Sequence, residues 1–473
     1  MKAVKLIIIF ILIGAVAFGW GSVILSNGSE LVKYNSNIKT ADKLVKEGLY
    51  QRAALKYQDA LDYKENLKIQ NKKIDAYEKR YKESDTVKSD YVDALKAAIE
   101  KYPDNVNFNK KLVDIYIGMS SFEDAYDVLV TAIDNGLEDK ELLKLKTELQ
   151  YSGTLSSSAY NEISSLNGKC YTVRVDKEYG AVDTSGEKII KIESPFMGHV
   201  NGDGVFARRA ELRDEIADSK DMVYGIFDNR LEAAYLMVDN IMPVKVGKKW
   251  FYVDDFAKKK FGDYTVASSF QDKKAAVCNG MKVWWFIDDT GKKISEDFGD
   301  VVLNRSGLYK FDDRFSAADK SGKYHFYDDS LKQIGDFSCD GLDIPSEDGL
   351  TAFKKGNKWG FVDSKGKVVI EPQYEGARSF ANGLAGVCVD GKWGFINKDN
   401  KIVIKCSYVD TDYFNADGSC MVKCSDDGKL KSQEEETSKQ AEDKAEVKET
   451  EDQKDVVTCW RLYILNIGKK KLF

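Results

Sequence analysis

The chain offers few residues for acid–base or metal chemistry. Only two histidines, His199 and His325, occur among its 473 residues, and they are far apart in the sequence. The eight cysteines include no C-x-x-C pair, which argues against a zinc ribbon. An even cysteine count permits disulfides in an oxidising compartment, but scattered buried thiols are the simpler interpretation. We therefore predict no catalytic residue, no cofactor and no metal ion.

The residues that do recur with regular spacing are carboxylates. Between Gly168 and Cys424 we find seven copies of a motif in which an aromatic residue is followed by two apolar residues and, four positions after the aromatic, by Asp or Asn. Carboxylates gathered by a repeat could bind a cation or a sugar, or serve as the acid and base of a hydrolase. Alternatively, each Asp accepts hydrogen bonds from the backbone amides of a tight turn, as in "VDSKGK", "VDTSGE" and "IDDTGK". The turn role needs no ligand, and we favour it.

The two clearest copies of this repeat are "KWGFVDSKGKVVI" and "KWGFINKDNKIVI", and the other five are degenerate. Successive aromatic positions are separated by 45, 26, 34, 40, 35 and 34 residues. The predicted repeat positions are Tyr179, Gly180, Asp183, Tyr224, Gly225, Asp228, Trp250, Asp254, Trp284, Asp288, Tyr324, Asp328, Trp359, Gly360, Phe361, Asp363, Gly366, Trp393, Gly394, Phe395 and Asn397.

Alternation within the repeat predicts a β-strand that is covered on both faces. Trp359, Phe361 and Asp363 point to one face, and Gly360 points to the other, where we expect it to make room for an aromatic residue of the next unit. The turn that follows predicts an antiparallel meander, which becomes stable when several copies pack together. Because 34 residues is short for a four-stranded unit, we expect three-stranded meanders. Phe251, Trp285 and His325 replace glycine and predict irregular packing in the middle units.

The stretches "GKWGFI" and "NKWGFVDSKGKVVIEPQYEGARSFANGLAGV" resemble the WG-repeat family, also written KWG. The resemblance is close over residues 355–425 and weakens toward Gly168. It implies an all-β repeat domain of about seven units over residues 168–425, either propeller-like or a β-solenoid. It implies binding of a ligand or partner and no specific chemistry.

The segment before these repeats predicts helices. From residue 40 to 150 apolar residues recur at three- and four-residue spacing. "GLYQRAALKYQDAL" and "SSFEDAYDVLVTAI" each combine small and aromatic residues in a series that resembles the tetratricopeptide repeat. Generic amphipathic helices are the alternative. We expect α-helical hairpin repeats that bind a protein, with linkers at residues 26–39 and 151–167.

The N-terminal 25 residues carry a targeting signal. Residues 6–25, "LIIIFILIGAVAFGWGSVIL", contain no charge and match the thickness of a hydrocarbon core. They predict a transmembrane helix that anchors the chain in the lipid bilayer, with most of the chain outside the cytoplasm. The alternative is a signal peptide, cleavage of which would release a secreted protein. The predicted fold class is thus α+β multidomain: transmembrane helix, helical hairpins and all-β repeat domain.

The C-terminal part consists of two segments that differ in composition. Residues 426–455 are rich in charge and predict a disordered linker. Residues 456–473 are apolar and then basic, and we leave open whether they contact a membrane surface or return to the β-domain as a strand. The net charge of −6 argues against nucleic acid as a partner. We predict a membrane-anchored, bacterial-type scaffold that binds proteins or a cell-envelope glycan, with a carboxylate-based hydrolase as the alternative.

Overall fold

The computed structural model describes residues 30–84, 88–426 and 457–467. Contacts divide the chain after Leu149 into an N-terminal and a C-terminal unit. The transmembrane helix predicted at residues 6–25 lies outside the described residues. None of the helices that the structure describes is long and apolar enough to cross a membrane.

The N-terminal unit consists of helices joined by short turns. Asn66 and Asn105 cap two of them, because their side-chain oxygens accept hydrogen bonds from Ile69 N (3.2 Å) and Phe108 N (3.1 Å). Within the described residues the seven helices are α1 (30–46), α2 (Tyr50–Leu61), α3 (Leu67–Glu83), α4 (Lys88–Lys101), α5 (Val106–Gly118), α6 (Phe122–Asp134) and α7 (Lys140–Gln150).

The small residues of the two quoted helical stretches allow neighbouring helices to pack closely. Ala53, Ala60 and Tyr57 are buried against α1 and α3, and Ala125 and Ala132 are buried on α6. Helical hairpins are therefore present, and the tetratricopeptide identification stays a prediction. Helix α1 occupies most of the segment that the sequence assigned to a linker at 26–39.

The C-terminal unit is an eight-bladed β-propeller over the described residues, with six four-stranded and two three-stranded sheets. Blade 1 contains β2 (Glu162–Ile163), β3 (Cys170–Val175), β4 (Glu178–Asp183) and β5 (Lys188–Ser194), and blade 2 contains β6 (Val205–Arg209), β7 (Asp214–Asp218) and β8 (Val223–Ile226). Blade 3 contains β9 (Ala233–Ala234), β10 (Met242–Val246), β11 (Lys249–Val253) and β12 (Lys259–Tyr264), and blade 4 contains β13 (Val266–Ala267), β14 (Lys274–Cys278) and β15 (Trp284–Asp288).

Blades 6 and 7 follow the same order. In blade 5 the first two strands both pair with the third, which also pairs with the fourth, and blade 8 combines strands from both ends of the unit. Blade 5 contains β16 (Asp300–Val301), β17 (Lys310–Phe311), β18 (Arg314–Ala318) and β19 (Tyr324–Asp328), and blade 6 contains β20 (Gly341–Leu342), β21 (Leu350–Lys355), β22 (Lys358–Asp363) and β23 (Val368–Tyr374). Blade 7 contains β24 (Gly376–Ala377), β25 (Leu384–Val389), β26 (Lys392–Asn397) and β27 (Ile402–Tyr408), and blade 8 contains β28 (Asp410–Thr411), β29 (Ser419–Asp426), β30 (Val457–Leu465) and β1 (Gly153–Leu155).

The Trp-Gly pair lies on the third strand of its blade, and its glycine accommodates the outer strand of the same blade. A Cβ atom on Gly360 would lie 2.4 Å from the carbonyl oxygen of Ile370 on β23. A Cβ atom on Gly394 would lie 2.6 Å from the backbone nitrogen of Cys406 on β27. The expectation that these glycines face an aromatic residue of the next unit is therefore wrong.

Outer strands differ between blades with glycine and blades with a bulky residue at the glycine position, although blade 3, with Phe251 there, keeps the six-residue outer strand β12, so the irregular packing predicted for it is not seen. Blades with Gly180, Gly360 or Gly394 have outer strands of seven residues. Where Trp285 or His325 stands at this position, the described outer segment forms only isolated bridges to the third strand. A bulky side chain at this position thus accompanies a broken outer strand in blades 4 and 5 but not in blade 3.

Blade 8 closes the ring. Strand β30 pairs with β29 on one side and with β1 on the other, so the start and the end of the unit meet in one sheet. Gly153 permits this contact, because a Cβ atom there would lie 2.4 Å from the Tyr463 ring. Residues 427–456, which include all but the first residue of the charged linker predicted at 426–455, separate β29 from β30 in the sequence and lie outside the described residues.

The predicted fold class therefore needs correction. The repeat domain is a closed propeller of eight blades, most of them four-stranded, instead of about seven three-stranded meanders or an open solenoid. The short inner strands of the seven blades other than blade 2 were missed because two residues are too few to show alternation. The segment assigned to a linker at 151–167 contains β1 and β2. A transmembrane helix is not part of the described fold.

Candidate functional site

The recurring carboxylates lie at the turns after the third strands. The Oδ1 atom of Asp363 accepts hydrogen bonds from the backbone nitrogens of Lys365 and Lys367, both at 2.9 Å. Asp183, Asp254 and Asp288 accept equivalent pairs, and Asp328 and Asn397 each accept one such bond. The Thr290 hydroxyl and the turn amides lower the pKa of Asp288. These contacts account for the carboxylates without a substrate.

The structure places the repeat of blade 2 at residues that the sequence did not indicate. Tyr224 and Gly225 lie on the outer strand β8, and Asp228 follows that strand. The register of β6 and β7 puts Asp214 at the tryptophan position and Glu215 at the glycine position. With Asp214 as the repeat position of blade 2, the distances to Tyr179 and Trp250 are 35 and 36 residues, whereas Tyr224 gave 45 and 26.

The two carboxylates of blade 2 are held by arginines on the adjacent strand. Arg209 donates from Nε to Asp214 Oδ1 at 2.8 Å, and the backbone nitrogen of Leu231 donates to Asp214 Oδ2 at 2.6 Å. Arg208 donates from Nε to Glu215 Oε1 at 2.9 Å. These hydrogen bonds raise the pKa of Arg209 and satisfy the fully buried Asp214.

A groove of about 1030 Å³ lies beside these pairs, between the outer strand of blade 1 and blade 2. Met197 and Phe206 contribute apolar surface, and Lys191, Arg208 and Arg230 contribute cationic side chains. Strand β8 has only four residues, with Glu215 at the position that is glycine in the regular blades. The short outer strand leaves the space between the two blades open.

Exposed apolar side chains are concentrated on the same blade. Leu212, Met222, Val223, Tyr224 and Ile226 are between 40% and 86% exposed. Strand β8 is the last strand of its sheet, so one of its edges has no partner among the described strands. Exposed apolar side chains on an edge strand are typical of a site where another chain binds.

A loop of blade 5 crosses the axis of the propeller. Its Ser306 Oγ accepts a hydrogen bond from Asn167 Nδ2 of blade 1 at 2.8 Å, and the carbonyl of Gly307 accepts one from Ser269 N of blade 4 at 2.8 Å. In a ring of eight, blade 5 lies opposite blade 1. The crossing loop, residues 304–309, therefore connects opposite sides of the ring.

Charged side chains near the axis are paired with one another. Arg305 and Arg378 donate to opposite oxygens of Asp410 at 3.1 and 3.2 Å. The Tyr413 hydroxyl lies 2.8 Å from both carboxylate oxygens of Asp343, and burial together with Asp343 raises the pKa of Tyr413. Because each charge has a partner of opposite sign or a donor, this cluster stabilises the packed centre of the ring.

In residues 30–84, 88–426 and 457–467, no three His, Cys, Asp or Glu side chains lie close enough to one another to hold a metal ion. The remaining predicted positions Trp250, Trp284, Tyr324, Trp359 and Trp393 are spread over five blades and do not converge. The repeat residues are thus architectural, and the groove beside blade 2 is the candidate site.

The sequence contained two signals for what was missed. The first signal is that the repeat spacing becomes regular when Asp214, instead of Tyr224, is counted as the repeat position of blade 2. The second is Trp460, which occupies the repeat position of blade 8, opposite Lys423. The second signal was obscured because 67 residues separate Trp460 from Trp393.

A family model described as "WG containing repeat" matches residues 359–393 and 393–426. No curated protein sequence matches the chain significantly. Among solved structures, BamB from Moraxella catarrhalis is similar at 11% identity and a TM-score of 0.41, covering 58% of this chain and 97% of that one. The computationally designed Ika8 protein is similar at 10% identity and a TM-score of 0.37, covering 57% and 94%. Residues 359–426 are thus WG repeats, and they form part of an eight-bladed β-propeller.

Proposed function

We propose that the chain is a protein-binding scaffold and that the groove beside blade 2 receives a partner. The observations that carry this proposal are the groove, whose lining includes Asp221 in the turn before β8, and the exposed apolar side chains that follow this turn on β8. The other repeat residues are occupied by packing and turn formation. Blade 2 alone among blades 1 to 7 has carboxylates in place of the Trp-Gly or equivalent pair.

An extended polypeptide segment fits this site better than a compact ligand. The free edge of β8 offers backbone groups for a fourth strand, and Val223 and Ile226 offer apolar side chains for its contacts. The groove also holds cations, Lys191 and Arg230, beside acids such as Glu193. A partner segment with apolar residues between mixed charges matches these features.

The helical unit adds a second surface for a protein. Helices α4, α5 and α6 border a groove of about 410 Å³ with Ile99, Leu112 and Val128 in its lining and Lys96 and Asp124 among its polar residues. Grooves across successive helical hairpins commonly bind peptides. Two such surfaces in one chain fit a scaffold that holds more than one protein.

The test is a cross-linking experiment on the full chain in the cells that produce it. Lys191 lines the groove and provides an amine for cross-linking. We expect a partner protein to be cross-linked at Lys191 and to be lost in the variant Ile226→Asp. The matched control is Val369→Asp, because Val369 is 50% exposed on the outer strand of blade 6.

Three outcomes count against the proposal. Equal loss of the partner in Ile226→Asp and Val369→Asp would show a general effect of charge, and equal retention would place the partner elsewhere. A cell-envelope glycan is the competing ligand. Binding on a glycan array that disappears in Ile226→Asp, without any protein cross-linked at Lys191, would assign the groove to a sugar.

A further inference from the structure

Two cysteines that are distant in the sequence lie opposite each other in blade 8. Cys424 on β29 and Cys459 on β30 are Cα partners in the antiparallel ladder. Directly opposed residues in such a ladder have Cα atoms about 4.5–5.5 Å apart, and a disulfide spans about 4.4–6.8 Å. All eight cysteines lie in described residues.

The other cysteines lack this register. Cys388 and Cys406 are on β25 and β27, and strand β26 lies between them, which separates their backbones by about 9–10 Å. Cys420 lies four residues before Cys424 on the same strand, about 13 Å away. Cys170, Cys278 and Cys339 belong to blades 1, 4 and 5. Cross-strand pairing therefore selects Cys424 and Cys459.

The position of the pair gives it a role in ring closure. Cys424 and Cys459 lie at the end of the β29–β30 hairpin where the chain leaves for residues 427–456. Strand β30 joins β29 to β1, so any bond that holds β30 to β29 also holds the ring closed.

The local hydrogen-bond pattern and the exposure of Cys424 define the geometry and accessibility of such a bond. The backbone of Trp460 exchanges hydrogen bonds with Tyr160, so the backbone of Cys459 points to β29. Residues that are hydrogen-bonded across antiparallel strands have Cα atoms about 5.5 Å apart, which lies within the range that a disulfide spans. Cys424 is partly exposed, and exposed disulfides are the labile, regulatory ones.

We propose that Cys424 and Cys459 form a reversible disulfide that locks the C-terminal strand into the propeller. Cys424 is partly exposed and Cys459 is 2% exposed, so Cys424 reacts first. Its thiolate attacks a disulfide of general form R–S–S–R, such as oxidised glutathione, and releases one thiolate. The Cys459 thiolate then attacks the mixed disulfide and releases the second. Two thiols of the protein are oxidised, one external disulfide is reduced, and the two thiol protons leave with the two released RSH molecules.

The test uses the folded full chain in buffers of oxidised and reduced glutathione. We expect non-reducing peptide mapping to show one cross-linked species, Cys424 with Cys459, lighter by two hydrogens than the reduced pair. The melting temperature should rise by several degrees on oxidation, because the bond closes a long loop. Addition of dithiothreitol should return the melting temperature to that of the reduced protein.

Two serine variants supply the controls. Cys424→Ser should melt like the reduced protein and lose both the cross-link and the oxidation-dependent rise, whereas Cys388→Ser should keep both. The proposal is overturned by glutathione attached to Cys424 without a bond to Cys459, by a bond that forms only in denaturant, or by a melting temperature that oxidation does not raise.

Discussion

Replacing Leu462 by Ala tests whether the C-terminal strand belongs to the propeller. Leu462 is fully buried on β30 and packs in one cluster with Tyr160, Tyr171 and Val173, which lie in or next to blade 1. Shortening a fully buried Leu costs about 2–5 kcal/mol, because transfer free energy is lost and a cavity remains. Urea unfolding, followed by tryptophan fluorescence and far-UV circular dichroism, measures the loss as a lower midpoint.

Ile402→Ala is the matched control for this experiment. Ile402 is also on a strand of the propeller, β27, but it is 53% exposed. Its replacement should change the free energy of unfolding by no more than about 0.5 kcal/mol. Equal midpoints for Leu462→Ala and Ile402→Ala would refute the placement of β30 in the ring. Truncation after Asp426 removes β30 altogether and should abolish the cooperative transition of the propeller.

Three further substitutions test local features. Gly394→Ala should cost about 1–3 kcal/mol in urea unfolding, because its Cβ atom would meet backbone atoms of β27 at 2.6 Å, whereas Gly202→Ala enters open space and should be neutral. Asp363→Ala should cost about 1–2 kcal/mol through two lost turn hydrogen bonds, and Asp363→Asn should cost less. Burial lowers the pKa of His199 from 6.5 to about 4, so the unfolded chain binds a proton that the folded chain excludes. Stability should fall by about 2–3 kcal/mol between pH 7 and pH 4, and His199→Gln should remove this part of the pH dependence.

Local sequence predicts the elements whose residues alternate or repeat over short distances. Trp359 and Trp393 identified third strands, and the glycine after each predicted close backbone contact, although with the wrong neighbour. The propeller itself was one of two predicted architectures. What local patterns do not reveal is the number of blades, because Trp460 completes the eighth from beyond a long charged segment.

Blade 2 shows a second limit of such reasoning. Tyr224 and Gly225 imitate the repeat on an outer strand, while the true position holds Asp214 and Glu215, which no aromatic signal marks. Charge pairing with Arg208 and Arg209 replaces aromatic packing there. A search for aromatic residues does not find a repeat position at which an ion pair has replaced aromatic packing.

The way blade 8 is assembled has a consequence for biosynthesis. Strand β1 leaves the ribosome near the start of the unit, but its partner β30 is translated some 300 residues later. Blades 1 to 7 can form in order on the nascent chain, whereas the last sheet must wait until translation is almost complete. A stalled or prematurely terminated product therefore exposes the unpaired edges of β1 and β29, and such edges can pair with other chains.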